Sequence, residues 1–162
     1  MSVCACPCVC VLGDASVVVG VDAELDEWSV QDVARTEDVI VSQWRDVSAD
    51  EKHQMRERFD EILRPLGFET SLLVIRRANS LALFFLCMTL SALTSLRDQW
   101  LTGQLRDVVD SLFTFLSGNT YHDDRTHQVR VIRIIWRLAD YERCLEFFSP
   151  LQGNILLASI FR

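Results

Sequence analysis

Apolar residues recur at helical spacing in the middle of the chain, and polar residues mark the predicted ends of the first helix. Ser48 and Glu51 form a capping-box pattern, in which the serine hydroxyl meets a free backbone amide and the glutamate reaches back. An apolar stripe with i, i+4, i+7 and i+8 spacing follows and consists of Met55, Phe59, Ile62 and Leu63. Pro65 and Gly67 are typical of a helix end, so the pattern predicts a helix between Ser48 and Pro65.

Two apolar runs come next and are separated by a turn pattern. Residues 68–76 (FETSLLVIR) predict one strand. Residues 81–88 (LALFFLCM) predict a second strand that is buried on both faces, because they lack polar alternation. Residues 77–80 predict the turn, in which Asn79 tolerates left-handed backbone geometry. We therefore expect an antiparallel hairpin.

Helical spacing returns after the hairpin. Thr89 can cap a helix whose apolar positions are Leu90, Leu93, Leu96 and Trp100. Gly103 predicts a kink or two consecutive helices, and the helical period then continues to Gly118.

The last part of the chain predicts a strand and a helix. Residues 129–136 (VRVIRIIW) are β-branched and suit a strand, although their apolar spacing would also suit a helix. Residues 139–148 predict a short helix that ends at Ser149-Pro150. The elements together predict an α+β fold, an α–β sandwich in which helices pack on one face of an antiparallel sheet of about four strands.

Charge divides the chain unevenly. Residues 1–50 contain ten acidic and two basic residues, a net charge of −8, whereas residues 51–162 contain thirteen acidic and fourteen basic residues, a net charge of +1. A pI near 4.9 argues against nucleic-acid binding, which needs a basic surface. We predict an acidic, partly disordered extension over residues 1–47 that includes a strand-like run at 16–21, a domain over 48–148, and an apolar tail over 149–162.

The cysteines and histidines are the residues to consider for metal or thiol chemistry. Cys4, Cys6, Cys8 and Cys10 could bind a soft metal or carry acyl chains, but their alternate spacing does not match a zinc site. His122 and His127 flank Asp123 and Asp124 in a polar stretch that fits no established metal site. Cys144 could in principle pair with His127, although its apolar neighbours favour a buried structural thiol. We predict no catalytic residues, no metal and no cofactor.

One uncharged stretch raises the question of a membrane. Residues 78–96 carry no charge, and their length is close to the ~20 residues of a membrane span. Only residues 81–88 are continuously apolar, which favours a buried strand. A membrane-associated protein that inserts residues 81–96 stays as an alternative.

Two segments resemble a known family. One runs from Arg77 to Leu90 and continues through Leu96–Arg106 and Ser111–Phe113, and the other runs from Leu138 to Leu145 (LADYERCL). Both are similar to the N-terminal domain family of TRADD, the TNF-receptor-associated death domain adaptor. The resemblance covers about residues 48–148 and implies an α–β sandwich.

The resemblance also implies a role as a cytoplasmic, non-enzymatic adaptor in death or innate-immune signalling. It implies a protein partner, either a TNF-receptor-associated factor or a death-fold protein. The fifteen arginines favour carboxylate contacts and thus agree with a protein partner. Glu142 and Arg143 lie inside the second segment and are the candidate partner-binding residues. A soft-metal-binding protein that uses the four N-terminal cysteines is a further alternative.

Overall fold

An antiparallel sheet forms the centre of the protein. The computed structural model describes residues 11–12, 16–28, 32–48, 53–118 and 129–148. In these residues the strands are β1 (Val11–Leu12), β2 (Ser16–Leu25), β3 (Thr70–Arg77), β4 (Leu81–Cys87) and β5 (Val131–Ile135). The order is β1-β2-β4-β3, and β5 also pairs with β2. All the pairings are antiparallel, as predicted.

Five helices accompany the sheet in the described residues. They are α1 (Val33–Ser48), α2 (His53–Leu63), α3 (Leu90–Thr102), α4 (Gln104–Gly118) and α5 (138–148). A short 3₁₀ turn, Arg64–Leu66, follows α2. The predicted α+β fold is therefore confirmed.

Two local signals set the limits of α3. The Thr89 hydroxyl accepts a hydrogen bond from the amide of Ala92 at 3.1 Å, which satisfies one of the free amides of the first turn. Gly103 adopts a left-handed conformation with φ 85° and ends α3, and its amide donates to the carbonyl of Trp100. Both features agree with the sequence, since Gly103 separates two consecutive helices.

The hydrophobic core lies between the helices and one face of the sheet, which we call the inner face. Alternate residues of β2 reach it, namely Val17, Val19, Val21, Ala23 and Leu25. From β4 it receives Leu81, Leu83, Phe85 and Cys87, each no more than 1% exposed. The same core contains residues of all five helices, such as Ile40, Phe59, Leu93, Leu112 and Cys144. Burial of this apolar face drives the packing of the helices on the sheet.

The expected domain boundary at residues 47 and 48 is wrong. β2 was expected to lie in an extension outside the domain, yet it pairs with β4 on one side and with β5 on the other. It is also four residues longer than the predicted run at 16–21. Helix α1 shares the core as well, because Ile40, Trp44 and Val47 are buried in it. Residues 16–48 therefore belong to the same packed unit as residues 53–148.

Three smaller expectations are also settled. Ser48 is the last residue of α1, and its hydroxyl donates a hydrogen bond to the carbonyl of Arg45. Ser48 therefore ends α1 and is not the cap of the following helix. Glu51, the other residue of the predicted capping box, lies outside the described residues. Asn79 does not adopt the left-handed conformation, because every residue with positive φ among those described is glycine. The ambiguous segment at 129–136 contains strand β5, whose Ile134 pairs with Ala23 of β2.

The uncharged stretch at 78–96 is divided between two elements. Its first part forms β4, and its last part forms the beginning of α3. Among the described residues, no helix has the length and apolar character that a membrane crossing requires.

Removal of residues 1–47 tests the corrected boundary. We expect a chain of residues 48–162 to lose cooperative unfolding, because β4 would lose its seven-residue pairing with β2 and the core would lose five β2 side chains. The cooperativity of unfolding is measured by urea denaturation monitored by near-UV circular dichroism, with the full chain as the control. A cooperative transition in the shortened chain would contradict the shared core.

Candidate functional site: the outer face of the sheet and its edges

The second face of the sheet, which we call the outer face, has an apolar centre. Val18 pairs with Leu86 and Gly20 pairs with Phe84 across the β2–β4 ladder, so these residues lie on the same face. Val74 of β3 pairs with Phe84 on the other side. None of these four side chains belongs to the core cluster that the described helices share. Val18 is itself buried, at 6% exposed, whereas Val74, Phe84 and Leu86 are half-buried.

Charged residues surround this apolar centre. The guanidinium of Arg76 lies 5.0 Å from the centre of the Phe84 ring. At the β5 side, Nε of Arg133 lies 2.7 Å from a carboxylate oxygen of Glu24. An apolar centre with a polar rim is the arrangement found in protein–protein interfaces.

Bulges place two further apolar side chains at the sheet edges. The pairing of β3 with β4 shifts register between Leu72 and Val74, and Leu73 at the shift is 38% exposed. The pairing of β5 with β2 shifts similarly, and Ile132 is 49% exposed. Bulges reorient side chains at sheet edges, and here they leave apolar surface beside the outer face.

A groove with three arginines lies between α1 and β3. We call it the arginine groove; its volume is about 330 Å³ and it is lined by Asp38, Val41, Ser42, Arg45, Arg76 and Arg77. The four residues of α1 have i, i+3, i+4 and i+7 spacing, so they share one helix face. The two arginines are neighbours at the end of β3.

An ion pair between Arg77 and Asp38 partly offsets the positive charge of this groove. Nη1 of Arg77 lies 2.7 Å from a carboxylate oxygen of Asp38. Glu37 is next to them and is 7% exposed, and its burial raises its pKa although the charge of Arg77 acts in the opposite direction. The lining itself carries three arginines against one aspartate.

A second groove, of about 560 Å³, lies at the beginning of β5. Asp26, Arg106, Asp110, Arg130, Val131 and Ile132 line it. Burial raises the pKa of Asp110, and its carboxylate accepts a hydrogen bond from the amide of Val131. The carboxylate of Asp110 thereby joins α4 to the first residue of β5, which is a structural task.

Three aromatic rings enclose the side chain of Arg97. Its guanidinium lies 4.3 Å from the ring centre of Trp100, 4.7 Å from that of Tyr141 and 5.0 Å from that of Trp136. It also donates a hydrogen bond to the carbonyl of Trp136 at 3.2 Å. Nε1 of Trp100 donates to the carbonyl of Ile134 at 2.7 Å. The cluster therefore fastens α3 to β5 and α5.

The two cysteines within the described residues are buried thiols. Burial is the largest influence on both and raises the pKa of Cys87 to about 12 and that of Cys144 to about 11. A thiol with such a pKa contains very little thiolate at neutral pH, so neither is suited to nucleophilic catalysis. His127, the considered partner of Cys144, lies outside the described residues.

The predicted partner-binding residues lie on the surface of α5. Glu142 and Arg143 are exposed, and Nη1 of Arg143 lies 3.9 Å from a carboxylate oxygen of Asp140. They are on a different element from both the outer face and the arginine groove, and their role stays a prediction.

The other candidate residues fall outside the described part of the chain. These are Cys4, Cys6, Cys8, Cys10, His122, Asp123 and Asp124. Among the described residues, no group of three or more histidine, cysteine or acidic side chains could hold a metal ion.

Sequence reasoning did not identify the arginine groove, because its residues come from segments more than thirty positions apart. The adjacent pair Arg76-Arg77 at the end of a predicted strand was the local sign of it. The aromatic cluster also had a local sign, since Arg97 and Trp100 are three positions apart on a predicted helix.

Comparison with known proteins leaves the family open. No match to this chain was found among protein-family models, curated proteins or solved structures. The resemblance to the TRADD N-terminal family therefore rests on the two sequence segments, Arg77–Phe113 and Leu138–Leu145, alone.

Substitution Arg97→Lys tests the aromatic cluster. We expect a decrease of about 1–2 kcal/mol in the free energy of unfolding, because lysine lacks the planar group that stacks on the rings and bonds the carbonyl of Trp136. Urea denaturation measures the change. Arg58→Lys, at an exposed position on α2, is the control, and we expect its effect to stay within about 0.5 kcal/mol. Equal effects of the two substitutions would contradict a stabilising cluster.

Alkylation tests the protection of the thiols. We expect Cys87 and Cys144 to stay unmodified by iodoacetamide at pH 8 in the folded protein and to react in 8 M urea, since burial and a raised pKa both suppress the thiolate. Peptide mass spectrometry distinguishes the two positions. Alkylation of either thiol without denaturant at the rate of a free cysteine would contradict their burial.

Proposed function

We propose that this protein is a non-enzymatic interaction module, adaptor-like, that acts in the cytoplasm in death or innate-immune signalling. Its partner in this proposal is a TNF-receptor-associated factor or a death-fold protein. The observation that supports a docking role is the outer face of the sheet, with its apolar centre outside the helix-covered core and its charged rim. The sequence resemblance to the TRADD N-terminal family supports the biological setting.

Phe84 is the centre of the proposed surface. It lies between Val74 and Gly20 in neighbouring strands, is partly exposed, and carries the guanidinium of Arg76 over its ring. Aromatic and arginine side chains in the centre of a patch contribute most to the affinity of protein interfaces. A partner that covers this pair would remove both the ring and the stacked guanidinium from water.

The two described thiols belong to the core and take no part in the proposed docking surface. Nucleophilic catalysis needs a thiolate that reaches substrate, whereas Cys87 and Cys144 are fully buried with raised pKa values. Their apolar surroundings make them small core side chains.

A binding titration tests the proposal. The full chain is titrated by isothermal calorimetry against the purified C-terminal domain of a TNF-receptor-associated factor and against a purified death domain. We expect one of them to bind, and we expect Phe84→Ser to weaken that binding at least tenfold, because truncation of a central aromatic commonly costs about 2 kcal/mol or more.

A matched variant on the same face provides the control. Asp22 is exposed and lies two residues from Gly20 on β2, at the rim of the outer face. Asp22→Ser should change the affinity less than threefold, since rim charges contribute little. The proposal would be overturned if neither domain bound at 100 μM, or if the wild-type and Phe84→Ser chains had equal affinity.

A further inference from the structure

We propose that the arginine groove and the adjoining edge of β3 bind an acidic peptide segment in extended conformation, which adds to the sheet as a strand. This surface meets the outer face at Arg76 but otherwise consists of α1 residues, Arg77 and the backbone edge of β3. The inference goes beyond the proposed function by naming the chemistry of a second ligand. It is argued from the geometry of the strand edge and from the charges on its two sides.

β3 is the last strand on its side of the described sheet. The amide of Ala78 donates to the carbonyl of Ser80, and hydrogen-bonded pairs alternate along an antiparallel ladder. The backbone amides and carbonyls of Arg77 and Ile75 therefore point away from β4. These groups are a template for an added strand.

The bulge limits how much of the edge can pair. Register is interrupted at Leu73, so the regular part of the edge that adjoins the groove runs from Val74 to Arg77. So short a ladder provides few backbone hydrogen bonds, and side-chain contacts must supply most of the affinity and specificity.

Arginines stand on both sides of this edge. Arg76 is on the outer face, where its guanidinium lies over Phe84, and Arg77 is on the inner side, where it meets Asp38 of α1. Arg45 joins Arg77 from the exposed face of α1. Successive residues of an added strand point to opposite faces, so consecutive carboxylates would each meet a guanidinium.

The charges that line the groove favour an acidic peptide over a basic segment or a second copy of β3. The groove lining carries three arginines and one aspartate, in a protein whose net charge is −7. At physiological salt, charges more than about 8 Å away are largely screened, so distant acidic residues contribute little here. Glu37, the acidic neighbour of Asp38, is buried, and its burial raises its pKa and so disfavours its charged form. A second copy of β3 is a poor occupant, because it would bring Arg76 and Arg77 against their own copies.

Fluorescence anisotropy with synthetic peptides tests this inference. The probe is a labelled nine-residue peptide of threonine and valine with three consecutive central glutamates. One control peptide carries lysines in place of the glutamates, and another keeps the glutamates but is N-methylated on alternate backbone amides. We expect the full chain to bind the acidic peptide at least tenfold more tightly than either control.

Variants of the full chain locate the site. Arg45→Gln and Arg76→Gln should each weaken binding of the acidic peptide about tenfold, as expected for loss of a charge-assisted hydrogen bond. Arg58→Gln on α2 removes the same charge elsewhere and should change the affinity less than threefold. The two proposals are tested with different ligands, a purified domain for the outer face and a synthetic acidic peptide for the groove, so failure of the outer-face proposal and failure of this one give different results.

The amides themselves report strand addition. In amide hydrogen exchange, binding should slow the exchange of Ile75 and Arg77, whose amides are otherwise turned away from β4. Slower exchange together with the peptide preference supports the inference. Equal binding of the N-methylated peptide would show attraction of an anion without strand pairing and would overturn it, as would equal binding of the lysine peptide or no binding at 1 mM.

Discussion

The antiparallel pairing of β2 with β4 is the contact on which the rest of the structure depends. It runs over seven consecutive residue pairs, from Val17 with Cys87 to Ala23 with Leu81. β4 brings β3 into the sheet through the hairpin, and β2 brings β5, which is more than a hundred residues away in sequence. Without this ladder the hairpin of β3 and β4 would be separated from the sheet that β2 forms with β1 and β5. The pairing therefore joins the central hairpin to strands from the beginning and the end of the described chain.

The register of that ladder also decides which surfaces are available for binding. Because side chains alternate along a strand, the pairing that places Val17, Val19 and Val21 against the helices places Val18 and Gly20 on the outer face. A slip of one residue would exchange the two sets and bury Asp22 in the core. The composition of the outer face is thus a consequence of this register, whereas the arginine groove depends on how β3 and α1 are placed.

Local features of the fold were predictable, whereas its assembly was not. The hairpin, the Thr89 cap and the break at Gly103 each depend on neighbouring residues. β2 was recognised only as far as Val21, because Asp22 and Glu24 end the apolar run although they lie on the outer face of a continuing strand. The domain boundary was wrong for the same reason, since charge follows the sequence and reports little about distant pairing. The arginine groove likewise needs α1 and β3 to be placed side by side.

In the folded protein, acidic residues of the first third of the chain form ion pairs with arginines of the remainder. Two of the ion pairs join the acidic first third to the remainder, Asp38 with Arg77 and Glu24 with Arg133. Both are at the surface, where such pairs contribute about 0–1 kcal/mol, so their effect is on charge placement more than on stability. At the edge of β3 the positive charges exceed the negative ones, because three arginines and one aspartate line the groove. Like charges on an exposed edge discourage pairing between copies of the protein, and the same charges admit a segment of opposite sign.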